Sequence, residues 1–172
     1  MRKIVHPVCS QAEAGALNAP LPAVAACIAI CGYAIWNARG LFSAWMHSPY
    51  DRCGGLAYLF WIGPVLFVWA GPSSDARRLN PAVFAIALAC SFAGVVLDLS
   101  VLDYAALAIA IAGFVRSRPA IIPWLACSVS WMPAAGWGLS SHGALMVNLM
   151  RVAIGLASLL FIPLLICRES KR

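Results

Sequence analysis

The stretch that decides the fold is GALMVNLMRVAIGLASLLFIPLLI, residues Gly143–Ile166. It is long enough to cross a bilayer, because a helix of about 20 apolar residues spans the hydrocarbon core. Two polar residues, Asn148 and Arg151, stand inside it. Residues three apart lie on the same face of a helix. We therefore predict a membrane-spanning helix that turns a polar stripe toward neighbouring helices.

The arginine in this run sets a strong constraint. A guanidinium in the hydrocarbon region costs about 2.5 kcal/mol or more, so Arg151 is expected to face the bundle interior. Its expected partners are Asn148, carbonyl groups freed near Pro133, or Asp98 or Asp103 reaching down from the outer side. The polar stripe is either a structural lock between helices or a functional site, and the pattern leaves both open.

The composition is that of a membrane protein. Of 172 residues, 63% are hydrophobic and 10% are charged, whereas about a quarter of a soluble domain is charged. We predict an all-α polytopic bundle of about six transmembrane helices in one domain, residues 23–167. Residues 1–22 are expected to form a cytoplasmic arm, and residues 168–172 a basic cytoplasmic tail. The six apolar runs cover about residues 23–36, 56–70, 81–97, 101–115, 120–137 and 143–166.

The basic residues act as topology signals. The net charge of +6 comes from scattered Lys and Arg, which does not resemble a phosphate-binding face and excludes nucleic acid as a partner. With both termini inside, nine basic residues lie on the cytoplasmic side and two, Arg39 and Arg52, on the outer side. The predicted location is therefore the inner membrane, with the lipid bilayer as the immediate partner.

This topology places a group of polar and ionisable side chains at the outer face. The residues placed there, with Arg151 about two helical turns below, are His47, Asp51, Arg52, Asp98, Asp103 and His142. The candidate binding residues are Arg151, Asn148, His47, Asp98 and Asp103. His142 with Asp98 or Asp103 is a candidate acid and base pair or ion site.

Neither a cofactor nor a metal is predicted. Cys27 and Cys31 are one helical turn apart, but they lack the further Cys or His ligands that a metal site needs. The sequence also contains no Gly-rich phosphate loop, HExxH or GxSxG pattern. The sequence therefore does not predict the enzyme classes that these patterns mark.

A family resemblance runs through about residues 45–166. The residues that carry it are, in order, Trp45, Ser48-Pro49-Tyr50, Gly54-Gly55, an aromatic-rich span ending at Trp69, a basic loop, two apolar spans and Trp131-Met132-Pro133. This succession resembles the amino-terminal half of the exosortase/archaeosortase family, multi-spanning membrane proteins that process carboxy-terminal sorting signals. The resemblance implies a role in protein sorting at the outer face of the inner membrane.

The family's catalytic motifs can be aligned with this chain in two registers. The family's catalytic residues look like a Cys in Ala-Cys-Ser-Gly, an Arg in Asn-x-x-Arg and a later basic or His position, and in the favoured register this chain stops before them. The competing register matches Cys127 and Arg151 to those motifs, with Val129 in place of the Gly. Cys127, Arg151 and His142 are therefore weak catalytic candidates, and enzymatic activity stays open.

Two functions follow as hypotheses. The first is a short exosortase-like protein with a binding or accessory role, whose partner is a sorted protein or peptide or another membrane protein. The second is a small transporter or channel-like protein with Arg151 and Asn148 on the solute path. The first requires a binding surface at the outer face, whereas the second requires access to Arg151 from both sides.

Overall fold

A computed structural model describes residues 21–70, 79–116, 119–133 and 140–166. These residues fold mainly as helices joined by short connections, which confirms the all-α prediction. Almost all of the predicted amino-terminal arm and the whole of the predicted basic tail lie outside the described residues.

The described part of the chain contains eight α-helices. α6 continues into a 3-10 turn, Cys127–Ser130, and another 3-10 turn, Leu159–Phe161, joins α7 to α8. The helices are α1 Leu21–Asn37, α2 Gly40–His47, α3 Gly54–Ala70, α4 Pro81–Leu97, α5 Ser100–Ala112, α6 Ile121–Ala126, α7 Ala144–Ser158 and α8 Ile162–Ile166.

These bounds follow most of the predicted runs. α1, α3, α4 and α5 occupy the first four runs, and α7 with α8 occupies the last. The fifth run is mostly not α-helical where it is described, because α6 has only six residues before the 3-10 turn. The polar connection after α1 contains the short helix α2, bent by 40° from α1.

Local signals set the ends of α4. The Asn80 side chain accepts a hydrogen bond from the Ala82 N–H at 3.2 Å, and Pro81 occupies the first turn, where no N–H is needed. At the other end Asp98 adopts the left-handed conformation, with a φ of 53°. Asp and Asn tolerate this conformation better than most residues. The chain then reverses directly into α5.

The helices α3, α4 and α5 run in alternating directions. At one end of the bundle, the Trp69 indole N–H donates to the Phe114 carbonyl and the Asn80 N–H donates to the Gly113 carbonyl, both at 3.0 Å. At the opposite end, the residues that precede α3 contact the first half of α7. The structure therefore has two polar ends, and the second one contains Arg151.

Polar and charged side chains are buried beside an apolar core, and large apolar side chains are exposed. Buried positions include Asp51, Ser91, Asp103, Arg151 and Ser158. Large apolar side chains are exposed along several helices, among them Ile86 and Phe92 on α4, Leu59 and Phe67 on α3, and Leu145 and Leu149 on α7. A soluble monomer rarely exposes contiguous apolar surface on this scale.

By length and composition, one described helix qualifies as a membrane span, Ala144–Leu165, with 22 residues. The bent pair of α1 and α2 makes a second if it is counted as one span. α3 and α4 are apolar along their whole length but have 17 residues each. The structure thus shows a helical fold with one or two helices of spanning length.

Candidate functional site at the Arg151 end

Arg151 is the centre of a closed polar site. Its side chain is 2% exposed and forms an ion pair with Asp51 through Nη2. Nη2 also donates to the Met132 carbonyl at 3.1 Å, and Nη1 donates to the Ser130 carbonyl at 3.0 Å. The predicted inward orientation is therefore observed, as is the use of carbonyl groups beside Pro133.

The acidic partner differs from the expected one. Asp51 pairs with Arg151, whereas Asp98 is exposed at the end of α4 and Asp103 hydrogen-bonds to Ser91. Sequence reasoning placed Asp51 in an outer connection and did not choose it. The reason is physical: residues 48–53 form tight turns that bring the Asp51 side chain inward to a buried position. No local pattern in the sequence indicates this inward fold.

Asn148 fastens these turns to α7. Its amide nitrogen donates to the Pro49 carbonyl and to the Ala144 carbonyl, each at 2.9 Å. Its amide oxygen accepts a hydrogen bond from the Cys53 N–H at 3.1 Å. Asn148 therefore hydrogen-bonds to the turns and not to Arg151, although both residues lie in the first half of α7.

An aromatic wall borders the site. The Trp45 indole N–H donates to the Trp131 carbonyl at 3.0 Å, which ties α2 to the segment that follows the 3-10 turn. The Trp45 ring lies against Gly54, where a side chain would collide with it. Trp131 in turn meets Tyr58 edge to face, with 5.3 Å between ring centroids.

Three buried polar atoms at this end have no hydrogen-bond partner. They are Arg151 Nε, Ser130 Oγ and Trp131 Nε1. Unpaired buried polar groups are uncommon in native structures, because each one costs desolvation free energy. Two are donors and the third, a hydroxyl, both donates and accepts. The site therefore retains hydrogen-bonding capacity suited mainly to acceptor groups.

The remaining predicted site residues do not join this network by hydrogen bonds. His47 is exposed, and its Nδ1 lies 2.9 Å from the Ser43 carbonyl oxygen. His142 is exposed and lies beside Ser141, with 3.1 Å between Nδ1 and Oγ. Cys127 is half-buried and donates to the Pro123 carbonyl within its own helix at 3.4 Å.

A second polar cluster lies between α1, α4 and α5. The Asn37 amide nitrogen donates to Ser91 Oγ at 2.9 Å, and Ser91 Oγ lies 3.5 Å from Asp103 Oδ1. Asp103, a predicted site residue, is 9% exposed. Sequence reasoning did not connect it with Asn37 or Ser91.

Within the described ranges, no three His, Cys, Asp or Glu side chains meet as a metal site would require. The Arg151 site can hold a carboxylate against a guanidinium and can offer hydrogen-bond donors beside it. Comparisons with family models, with curated proteins and with solved structures give no match to this chain.

Proposed function

We propose that the chain is a multi-pass protein of the inner membrane with six spans and both termini in the cytoplasm. The exposed apolar faces and the buried ionic groups support a lipid environment, because charge inside a bilayer turns toward the bundle interior. Helices of 17 residues reach about 25 Å, at the lower limit for a span. The alternating helix directions and the nine-to-two charge asymmetry support the proposed orientation.

Within that membrane we propose an exosortase/archaeosortase-like role in protein sorting. One observation carries it: the short motifs behind the resemblance converge on the Arg151 end. Trp45 contacts Trp131, Pro49 contacts Asn148, and the turns between them present Asp51 to Arg151. Motifs more than 80 residues apart in the sequence thus meet in one site.

The geometry favours binding over catalysis. Neither Cys127 nor His142 hydrogen-bonds to Arg151, and the terminal nitrogens of Arg151 are engaged by Asp51 and two carbonyls. The unpaired donors on Arg151 and Trp131 are buried, so the proposed peptide-binding surface is the exposed turn beside the site, at Pro49 and Arg52. The proposed activity is therefore recognition of a sorting signal at the outer face, in an accessory role.

The alternative function, a transporter or channel, needs solute access to Arg151 from both sides. Arg151 is 2% exposed and enclosed by Asp51, Ser130 and Met132. Such packing does not give a solute access to Arg151, whereas binding at the exposed turns beside the site does not need that access.

Site-specific photocrosslinking in intact cells tests the proposal. Benzoylphenylalanine replaces Arg52, which is exposed beside the site, and in a matched control it replaces Phe92, which is exposed on α4. Each variant is expressed with a secreted reporter that bears a carboxy-terminal sorting signal. We expect an adduct with the reporter from position 52, little from position 92, and loss of the adduct when the signal is deleted.

Equal adducts at both positions, or an adduct that persists without the signal, contradict a binding role at this end. Solute uptake by reconstituted vesicles that Arg151→Ala abolishes, with the protein still folded, instead supports the transporter.

A further inference from the structure

Among the described residues, two buried carboxylates lie in very different surroundings. Asp51 is paired with Arg151, whereas Asp103 has no ion-pair partner among the described residues. The side chain that hydrogen-bonds to Asp103 is the neutral Ser91, and the neutral Asn37 lies behind Ser91. A buried carboxylate without a counter-charge is costly, and more so in a membrane. Something must neutralise Asp103.

Polar side chains from three helices meet at this point. Asp103 lies in the first turn of α5, Ser91 on α4 and Asn37 at the end of α1. The Asn37 amide presents its nitrogen to Ser91, and rotation about its last side-chain bond would present its oxygen instead. A carboxylate, a hydroxyl and an amide oxygen together make a hard ligand set, of the kind that small hard cations take.

Gly94 leaves the space for this arrangement. A Cβ at Gly94 would come within 2.5 Å of Asp103 Oδ1, so any larger residue would displace the carboxylate. Asp103 follows closely on Asp98 and the chain reversal between α4 and α5. The cluster therefore lies near the bundle end that also contains Arg151, and an ion would enter from that side.

We propose that Asp103, Ser91 and Asn37 form a binding site for one alkali cation, with sodium as its natural occupant. A proton would neutralise the carboxylate as well, and the response to acid in the test below distinguishes it from sodium. The bound ion holds α1 against the hairpin of α4 and α5. This site is separate from the Arg151 site and does not depend on the sorting role.

Thermal unfolding of the purified full-length protein in detergent tests the site. Sodium chloride is compared with N-methylglucamine chloride at equal ionic strength, for the wild type, Asp103→Asn, Ser91→Ala and the control Asp98→Asn. At sodium of about five times the dissociation constant, we expect the wild-type midpoint to rise by about 2–4 °C and to keep rising with the logarithm of the sodium concentration above that. Asp98→Asn keeps this response, and the other two variants lose it.

Binding of radioactive sodium supplies a second readout on the same samples, with one ion per wild-type chain expected and none for Asp103→Asn. A wild type that ignores sodium overturns the proposal, as does an Asp103→Asn variant that responds equally. Stabilisation by acid without a sodium response identifies a proton as the neutralising ion and also overturns it. If Asp103→Asn does not fold, the proposal is tested by comparing the sodium response of Ser91→Ala with that of the wild type.

Discussion

Trp61 and Trp124 are joined by a reciprocal pair of hydrogen bonds. Each indole N–H donates to the other residue's backbone carbonyl at 3.0 Å, and the rings stack with 4.5 Å between centroids. Both side chains are fully buried. The pair fastens α3 to the short helix α6, so the interrupted fifth run keeps a fixed position despite its irregular backbone.

Replacing one of these tryptophans should weaken the bundle. Trp61→Phe or Trp124→Phe removes one hydrogen bond and part of the stack, so we expect a loss of about 1–2 kcal/mol of unfolding free energy from each. The double variant should lose less than the sum, because the two residues share one interface. Unfolding in detergent measures these values. Trp36→Phe, at a site 65% exposed, is the matched control and should change stability little.

Replacing one partner of the Asp51 and Arg151 ion pair should strongly destabilise the protein. Arg151→Leu leaves the Asp51 carboxylate buried and unpaired, and such losses cost about 3–5 kcal/mol. The double variant Asp51→Leu with Arg151→Leu should recover most of that stability, because no buried charge remains. The amount of folded protein in membranes, measured by detergent gel filtration, checks both. A double variant as unstable as Arg151→Leu alone would contradict the pairing.

Ser158 compensates for a proline in α3. Pro64 has no N–H to donate to the Phe60 carbonyl one turn earlier, and the single Ser158 hydroxyl proton is shared between that carbonyl, at 3.1 Å, and the Gly155 carbonyl, at 2.5 Å. Ser158→Ala should therefore cost about 1–2 kcal/mol. Combining it with Pro64→Ala should remove most of the effect, because the backbone N–H that this substitution restores can serve the same carbonyl. Thermal midpoints of the two backgrounds test this coupling.

Gly155 sets the separation between α3 and α7. A Cβ there would approach the backbone of Ala57 to 3.0 Å, so Gly155→Val should push the helices apart and cost about 1–3 kcal/mol. Gly32 on α1 has nothing within 4 Å of the equivalent position. Gly32→Ala should therefore be neutral or slightly stabilising. Comparing the thermal unfolding midpoints of the two variants separates the effect of helix packing from the effect of helix propensity.

The sequence predicts much of the fold, because apolar runs and their breaks are local signals. The run at residues 81–97 coincides with α4, whose start is marked by Asn80 and Pro81. The inward orientation of Arg151 was predictable from the cost of its charge in lipid.

The partners of these groups were less predictable, because they depend on how distant segments meet. Asp51 was missed as the partner of Arg151, since nothing local indicates that its turn folds inward. The cluster of Asn37, Ser91 and Asp103 spans three helices and was missed for the same reason.

The most direct test of the central claim, a membrane bundle with its Arg151 end outside, is cysteine labelling of intact cells. Arg52→Cys and Arg116→Cys are each placed in a background whose native cysteines are replaced by serine or alanine, and a membrane-impermeant maleimide is added. We expect position 52 to be labelled at once and position 116 to be labelled only after the membrane is permeabilised. Labelling of position 116 in intact cells, with position 52 protected, would contradict it.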